Sequence, residues 1–315
     1  MRLIALAGRH ATAVMAAGVL IGLAVPPLAT LARPLLVPTL LIPLALALVR
    51  LDWAAAGAWR RRPGVVVALL AFILGISPVA VWAITRVLAP LGFPDTLSQA
   101  LVLMAASSPI VSNVAIALVL GLDAPLAVVV VLAGTALVPL TLPVAADALV
   151  GVSIEMPLAE FMARLLALVG SAFAAAWLVR RLVPAPALAA RRELLDGLAV
   201  VNLLLFGLAI MDGVTAYAIA RPGYVALAIV AAYAFNLLLQ AAGALAFRRL
   251  GPTRALTVAL LAGNCNMGLV LVALEGRASF DVTVYFALAQ IPMYTLPALL
   301  EPLYARFGGA PPPAG

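Results

Sequence analysis

Two short stretches decide how this sequence reads: Ala106-Ser107-Ser108-Pro109-Ile110-Val111-Ser112-Asn113 and Ala262-Gly263-Asn264-Cys265-Asn266-Met267-Gly268. Each sets a polar cluster in the middle of a long apolar run. Pro109 has no amide hydrogen and its ring collides with the preceding turn, so a helix that carries it breaks there. Gly263 and Gly268 loosen the second run around Asn264 and Asn266. A helix interrupted in hydrocarbon leaves N–H and C=O groups without partners, which is tolerated only inside protein or beside a water-filled cavity. Those groups make an ion or solute site, with positive dipole at each half-helix N-terminus. The plainer reading is that Asn113 and Asn266 only tie two kinked helices together. Two interruptions at related positions favour the site.

The runs around these clusters need lipid. The chain has 315 residues, 66% apolar and 10% charged, with a mean hydropathy of +1.21. A soluble domain is about half apolar and a quarter charged, and 19 basic with 12 acidic residues cannot cover such a core. Spanning elements are helices or a closed barrel. Barrel strands alternate apolar and polar residues, whereas these runs do not, so the expected class is an all-α integral membrane protein. At about twenty residues per crossing, ten spans fall near 11–31, 34–50, 64–88, 95–121, 123–148, 157–183, 194–217, 222–249, 253–274 and 282–306. Arg9 and His10 interrupt the first apolar stretch, so it reads as a retained span rather than a cleaved signal.

All 19 basic residues are arginines. With the N-terminus cytoplasmic, fourteen fall in inside segments, among them Arg50, Arg60 to Arg62, Arg180, Arg181, Arg248, Arg249 and Arg254. Five fall outside: Arg33, Arg86, Arg164, Arg221 and Arg277. That asymmetry predicts a bacterial inner-membrane protein with both termini cytoplasmic, and loop anchors rather than a nucleic-acid surface. The two halves echo each other. Ser112-Asn113-Val114-Ala115 in the fourth span matches Cys265-Asn266-Met267-Gly268 in the ninth at an offset of 153 residues, and Thr141-Leu142-Pro143 matches Thr295-Leu296-Pro297 at 154. Five spans per half is odd, so the halves insert with opposite orientation. The expectation is a five-span repeat over 1–151, an inverted second repeat over 152–307 and a disordered tail over 308–315. That is a recurring plan of secondary transporters.

Other candidates are fewer. Asp212 follows an apolar run from Leu203 to Met211, and a membrane carboxylate is a functional candidate, here for a proton. Its neighbours Gly213 and Arg221 also fit the outer interface. Asn236 and Gln240 share a helix face, as do Gln290 and Tyr294 beside Pro292, and Asn202 lies in the seventh span. Glu160 and Arg164 fit a surface ion pair. One histidine (His10) and one cysteine (Cys265) leave no multi-ligand metal site or disulfide framework. With no lysine and no acid pair in mid-span, the chain reads as no enzyme.

These residues resemble the bile acid:sodium symporter family. The likeness lies in ten spans, Gly22-Leu23-Ala24-Val25-Pro26 in the first, Ser112-Asn113-Val114 in the fourth, and Gly263 with Asn266 and Gly268 in the ninth. The resemblance implies broken, crossing fourth and ninth helices in a core domain, and a panel of helices 1, 2, 6 and 7. It also implies transport of a bile-acid-like or pantoate-like organic anion by alternating access. The candidate substrate residues, read from the interrupted spans and the polar positions facing them, are Ile110, Ser112, Asn113, Asn202, Asn264, Asn266 and Gln290. The family's sodium sites use the Ser-Asn pair, matched by Ser112 and Asn113. They also use hydroxyl residues where Ala127 and Val131 stand, a glutamine near Ile73, and a glutamate and glutamine where Leu261 and Cys265 stand. Leu261 supplies no carboxylate, so the classical two-sodium mechanism is not expected to carry over, and backbone carbonyls with Ser112 and Asn113 would make only a weak sodium site. A proton- or potential-driven efflux carrier of the auxin-efflux type is the alternative. No cofactor is implied beyond sodium or a proton as coupling ion, and the partners are a small solute and the lipid bilayer.

Overall fold

The computed structural model describes residues 11–50, 57, 59, 62–151, 156–274 and 276–308. The expectations for His10, Arg2, Arg9, Arg60, Arg61 and the tail beyond residue 308 fall outside them. Every named element among the described residues is helical. In chain order they are α1 (Ala11–Ala24), α2 (Pro26–Arg50), α3 (Pro63–Leu91), α4 (Asp95–Ala106), α5 (Asn113–Val119), α6 (Ala124–Val150) and α7 (Leu158–Leu182). Then come α8 (Arg192–Ala209), α9 (Val214–Ala220), α10 (Pro222–Ala246), α11 (Pro252–Gly263), α12 (Met267–Ala273), α13 (Phe280–Leu299) and α14 (Glu301–Gly308). Seven stretches are long and apolar enough to cross a bilayer: α2, α3, α6, α7, α10, α13 and the α8–α9 run Glu193–Ala220. The chain is therefore an all-α, multi-pass membrane protein.

Local sequence sets these boundaries. Pro26, Pro63, Pro222 and Pro252 open α2, α3, α10 and α11, where a missing N–H costs nothing because the first turn has no partner for it. Asp123 caps α6 by accepting from the Leu126 amide at 3.0 Å, and Ser279 caps α13 through the Val282 amide at 3.4 Å. Outward-facing aliphatics such as Leu31 (76% exposed) and Val230 (64%) would be costly in water and suit lipid.

The chain divides into two units. The first takes Met1–Leu51 and Leu166–Leu227, and the second takes Asp52–Leu165 and Ala228–Gly315. Thus α7 and α10 each begin in one unit and end in the other.

In the first unit α1 lies directly on α8. Gly18 and Gly22 make a small-x-x-x-small face. A Cβ on Gly18 would overlap the Leu204 carbonyl, and one on Gly22 would come within 2.8 Å of Met211 Cβ. The first turn falls at Val25 (φ −129°, ψ 73°), not near residue 32 as the spacing of apolar runs indicated, because Pro26 and Pro27 cannot continue α1. The α8–α9 run is also interrupted, between Ala209 and Val214, with Gly213 at φ +77°. Thr215 Oγ1 donates to the Leu23 carbonyl at 2.7 Å, so the two interruptions meet. Arg50 and Asp196 form an ion pair at the other end of the unit, where Arg180 caps α2 through the Val49 carbonyl at 2.6 Å.

In the second unit the chain is continuously buried over α4 from Ala100 to Ala106, over α11 from Thr257 to Gly263 and over all of α12. Residues 107–112 and 264–266 are not helical. α6 packs on the first of these gaps: a Cβ on Gly134 would stand 3.2 Å from Pro109 Cδ and 3.7 Å from Ser108 Cβ. Glu160 pairs with Arg164 at 2.8 Å and with Arg277 at 3.5 Å. Arg164 also reaches the Ala273 carbonyl at the end of α12.

Candidate functional site

The two interruptions in the second unit cross at Pro109 and Cys265, which face each other as an isolated antiparallel pair. The Ile110 amide donates to the Asn264 carbonyl at 3.0 Å, and the Asn266 amide donates to the Ser108 carbonyl at 2.7 Å. In this register the facing pair itself makes no main-chain bond, so Pro109 can occupy it without forfeiting a donor. Further peptide groups close locally: Ser107 N–H on Met104, Asn113 N–H on Ile110, and Asn264 N–H on Leu260. The expectation that broken helices would present bare peptide dipoles is corrected here at these groups. Unpaired amides are too costly in low dielectric, and each gap supplies the other's partners.

Side chains carry the unpaired polarity instead. Asn113 Nδ2 donates to the Asn264 carbonyl at 3.0 Å. Asn236 Nδ2 donates to the Gly263 carbonyl at 2.9 Å and to Asn264 Oδ1 at 3.3 Å. Behind it, Gln240 Nε2 donates to Asn236 Oδ1 at 2.6 Å, and the Tyr304 hydroxyl donates to Gln240 Oε1 at 2.7 Å. The Asn236–Gln240 pair is thus a polar seam joining α10 and α14 to the gap between α11 and α12. Asn113 Oδ1, Asn264 Nδ2, Ser108 Oγ and Thr135 Oγ1 are buried and have no hydrogen-bond partner. The four residues that carry them are fully buried.

The other candidates are placed as follows. Ser112 is half-buried at the start of α5, and its side chain caps nothing. Ile110 takes part through its backbone. Asn266 caps α12, accepting from the Leu269 amide at 3.4 Å. Gln290 is buried, and its Nε2 donates to Phe286 on its own helix at 3.2 Å rather than to the crossing. Asn202, in the first unit, donates back to the Leu198 carbonyl at 2.9 Å. Asp212 sits in the first unit's interruption, accepting from Thr30 Oγ1 at 2.6 Å and paired with Arg33 at 3.0 Å.

Leu261 is fully buried, and Cys265 Sγ donates to the Ala262 carbonyl at 3.5 Å. Ile73, Ala127 and Val131 are apolar core. Among the described residues no acidic or basic side chain hydrogen-bonds to Ser108, Asn113, Thr135, Asn236, Asn264 or Asn266.

Sequence reasoning passed over Ser108 and Thr135 as site residues. Thr135 carried a usable signal: it is the one hydroxyl in the apolar run from Ala124 to Leu140, and it follows Gly134, whose missing side chain admits the Pro109 ring. Compared with known proteins, the sequence matches no family model and no curated protein.

Proposed function

We propose that this protein is a secondary carrier that moves a small organic acid across a bacterial inner membrane by alternating access. Its solute site is the crossing of α4–α5 with α11–α12. One observation carries the reading: four buried side-chain atoms at or beside that crossing lack hydrogen-bond partners. Each such atom costs about 1–3 kcal/mol. Of the five such atoms among the described residues four gather here, the fifth being Trp82 Nε1 on α3, and unpaired polarity so concentrated fits a position that a guest completes. Asn113 and Asn264 are fully buried, so a guest reaches them only in another conformer, as alternating access requires.

The division into units supports a bile acid:sodium symporter-like plan. The first unit holds the first, second and seventh spans with most of the sixth, the composition of the panel. The second unit holds the broken helices of the core. Counting α1 and each interrupted pair as one crossing gives ten spans, and Asn113 and Asn266 then take equivalent places in two inverted repeats. Loop arginines orient both termini to the cytoplasm. No catalytic step and no cofactor belongs to this reading.

Leu261 and Cys265 place no carboxylate at the crossing, so transport does not depend on two sodium ions. This favours, as a second reading, a proton- or potential-driven efflux carrier of the auxin-efflux type. Counterflow of labelled bile-acid-like and pantoate-like acids in proteoliposomes tests the proposal. The expected uptake requires unlabelled acid inside, survives replacement of sodium by choline, and is lost in Asn113→Leu. Non-saturating flux without counterflow would mark a channel and refute the carrier.

A further inference from the structure

The orientation of the amides at the crossing is fixed by main-chain carbonyls. The group facing the Gly263 carbonyl must be the Asn236 NH2, because two acceptors cannot pair. That same NH2 faces Asn264, which fixes Oδ1 of Asn264 on that side and leaves its buried Nδ2 unpaired. Likewise, the Asn264 carbonyl fixes the Asn113 NH2 toward itself and leaves Asn113 Oδ1 unpaired. The residue Asn264 links both side chains, so one unpaired donor and one unpaired acceptor belong to a single buried cluster. The hydroxyls of Ser108 and Thr135 accept or donate as needed.

From this we infer that the crossing binds a neutral, planar group carrying a carbonyl beside an N–H or O–H: a carboxamide or an undissociated carboxyl. The carbonyl oxygen accepts from Asn264 Nδ2, and the N–H or O–H donates to Asn113 Oδ1. A carboxylate only accepts, and would leave Asn113 Oδ1 facing negative charge. A sodium ion only receives, and would face the Asn264 NH2. An ester lacks the donor. The Tyr304–Gln240–Asn236 chain positions this selectivity by holding Asn264 in its orientation. The inference rests on the carrier reading for its site and sharpens that reading's solute from an acid to the uncharged form of its head group. An acid bound this way brings its own proton, so no protein carboxylate is needed.

The test ranks isosteres on full-length protein in nanodiscs by thermal shift, each against its own ligand-free control. The probes are butanamide and benzamide, butanoate and benzoate, and methyl butanoate and methyl benzoate, at pH 7.5 and pH 4.5. The packed elements carry carboxyl groups toward their ends (Asp95 on α4, Asp123 and Asp147 on α6, Asp281 on α13 and Glu301 on α14), the arginines Arg254 and Arg306, and the thiol of Cys265 with the phenols of Tyr224, Tyr233, Tyr285, Tyr294 and Tyr304. None of the carboxyls bonds to Asn113, Asn236 or Asn264, and the amides and esters, which do not titrate, control at each pH for any change in the protein itself. At pH 7.5 the amides are expected to bind about tenfold or more tightly than the carboxylates and esters, since those leave a buried polar atom unpaired. At pH 4.5 the acids join the amides and the esters do not. Asn113→Leu and Asn264→Leu are expected to abolish the shift, and the wild-type ranking decides if either variant fails to fold. Carboxylates or esters equal to amides at pH 7.5, stabilisation by sodium at the expense of amides, or silence from all six probes overturns the inference. The carrier reading fails separately, if the amide ranking holds while counterflow is absent.

Discussion

The Asn266 amide donates to the Ser108 carbonyl at 2.7 Å, so each interrupted helix supplies what the other lacks. The reciprocal bond, from the Ile110 amide to the Asn264 carbonyl, closes the pair. With these peptide groups satisfied, the energetic strain of the crossing rests on four side-chain atoms. Function and stability therefore separate residue by residue at this site.

Thr135→Val tests that separation most directly. The substitution keeps the shape and removes a buried hydroxyl that bonds to nothing. Stability is expected to stay level or rise by about 1 kcal/mol, seen as an unchanged or higher melting temperature, while solute flux falls. A loss of stability together with unchanged flux would show that Thr135 belongs to the scaffold alone.

Asn236→Leu is expected to act in the opposite sense. It strands the Gly263 carbonyl, Asn264 Oδ1 and Gln240 Nε2 at once. A loss of about 2 kcal/mol or more follows, about 4 °C or more in melting temperature. The double variant Asn236→Leu with Gln240→Leu should lose less than the sum of the single losses, because the two share a bond.

Gly263→Ala places a Cβ 2.5 Å from Gln240 Cγ and 2.7 Å from Asn236 Oδ1, so the seam must shift. Overpacking of this kind costs about 1–3 kcal/mol, and flux should fall with it. Gly64→Ala, with nothing within 4 Å of the added Cβ, serves as the control and is expected to be neutral or slightly stabilising.

Asp212→Asn distinguishes a structural carboxylate from a proton carrier. Asp212 is committed to Arg33 and Thr30, and the Arg33 side chain is 45% exposed. Solvent screening keeps such a pair at about 1 kcal/mol or less. Counterflow is expected to persist within about threefold, with a small drop in melting temperature. Complete loss of proton-linked uptake, with the fold intact, would restore Asp212 as the proton site.

The sequence announced the crossing because Pro109 and Gly263 act locally, through a missing amide and a missing side chain. It did not announce how the gaps are closed, because the Ile110–Asn264 and Asn266–Ser108 bonds join residues more than 150 positions apart. The interruption before Val214 was hidden for a different reason. Ile210 and Met211 continue the apolar run through it, and Asp212 and Gly213 read equally well as a helix end at the outer interface. The turn at Val25 was displaced because apolar content does not change across Pro26, so hydropathy saw one run where backbone geometry sees two helices. Asn202 and Gln290 looked like site residues by type, and each spends its amide hydrogen on its own helix.

The antiparallel pairing at Pro109 and Cys265 is sewn with main-chain thread alone. Changing a side chain that makes no bond of its own there, such as Thr135, alters what is gripped and leaves those two main-chain bonds in place. A lineage built on this joint can be refitted to new cargo by a handful of substitutions without first rebuilding its frame.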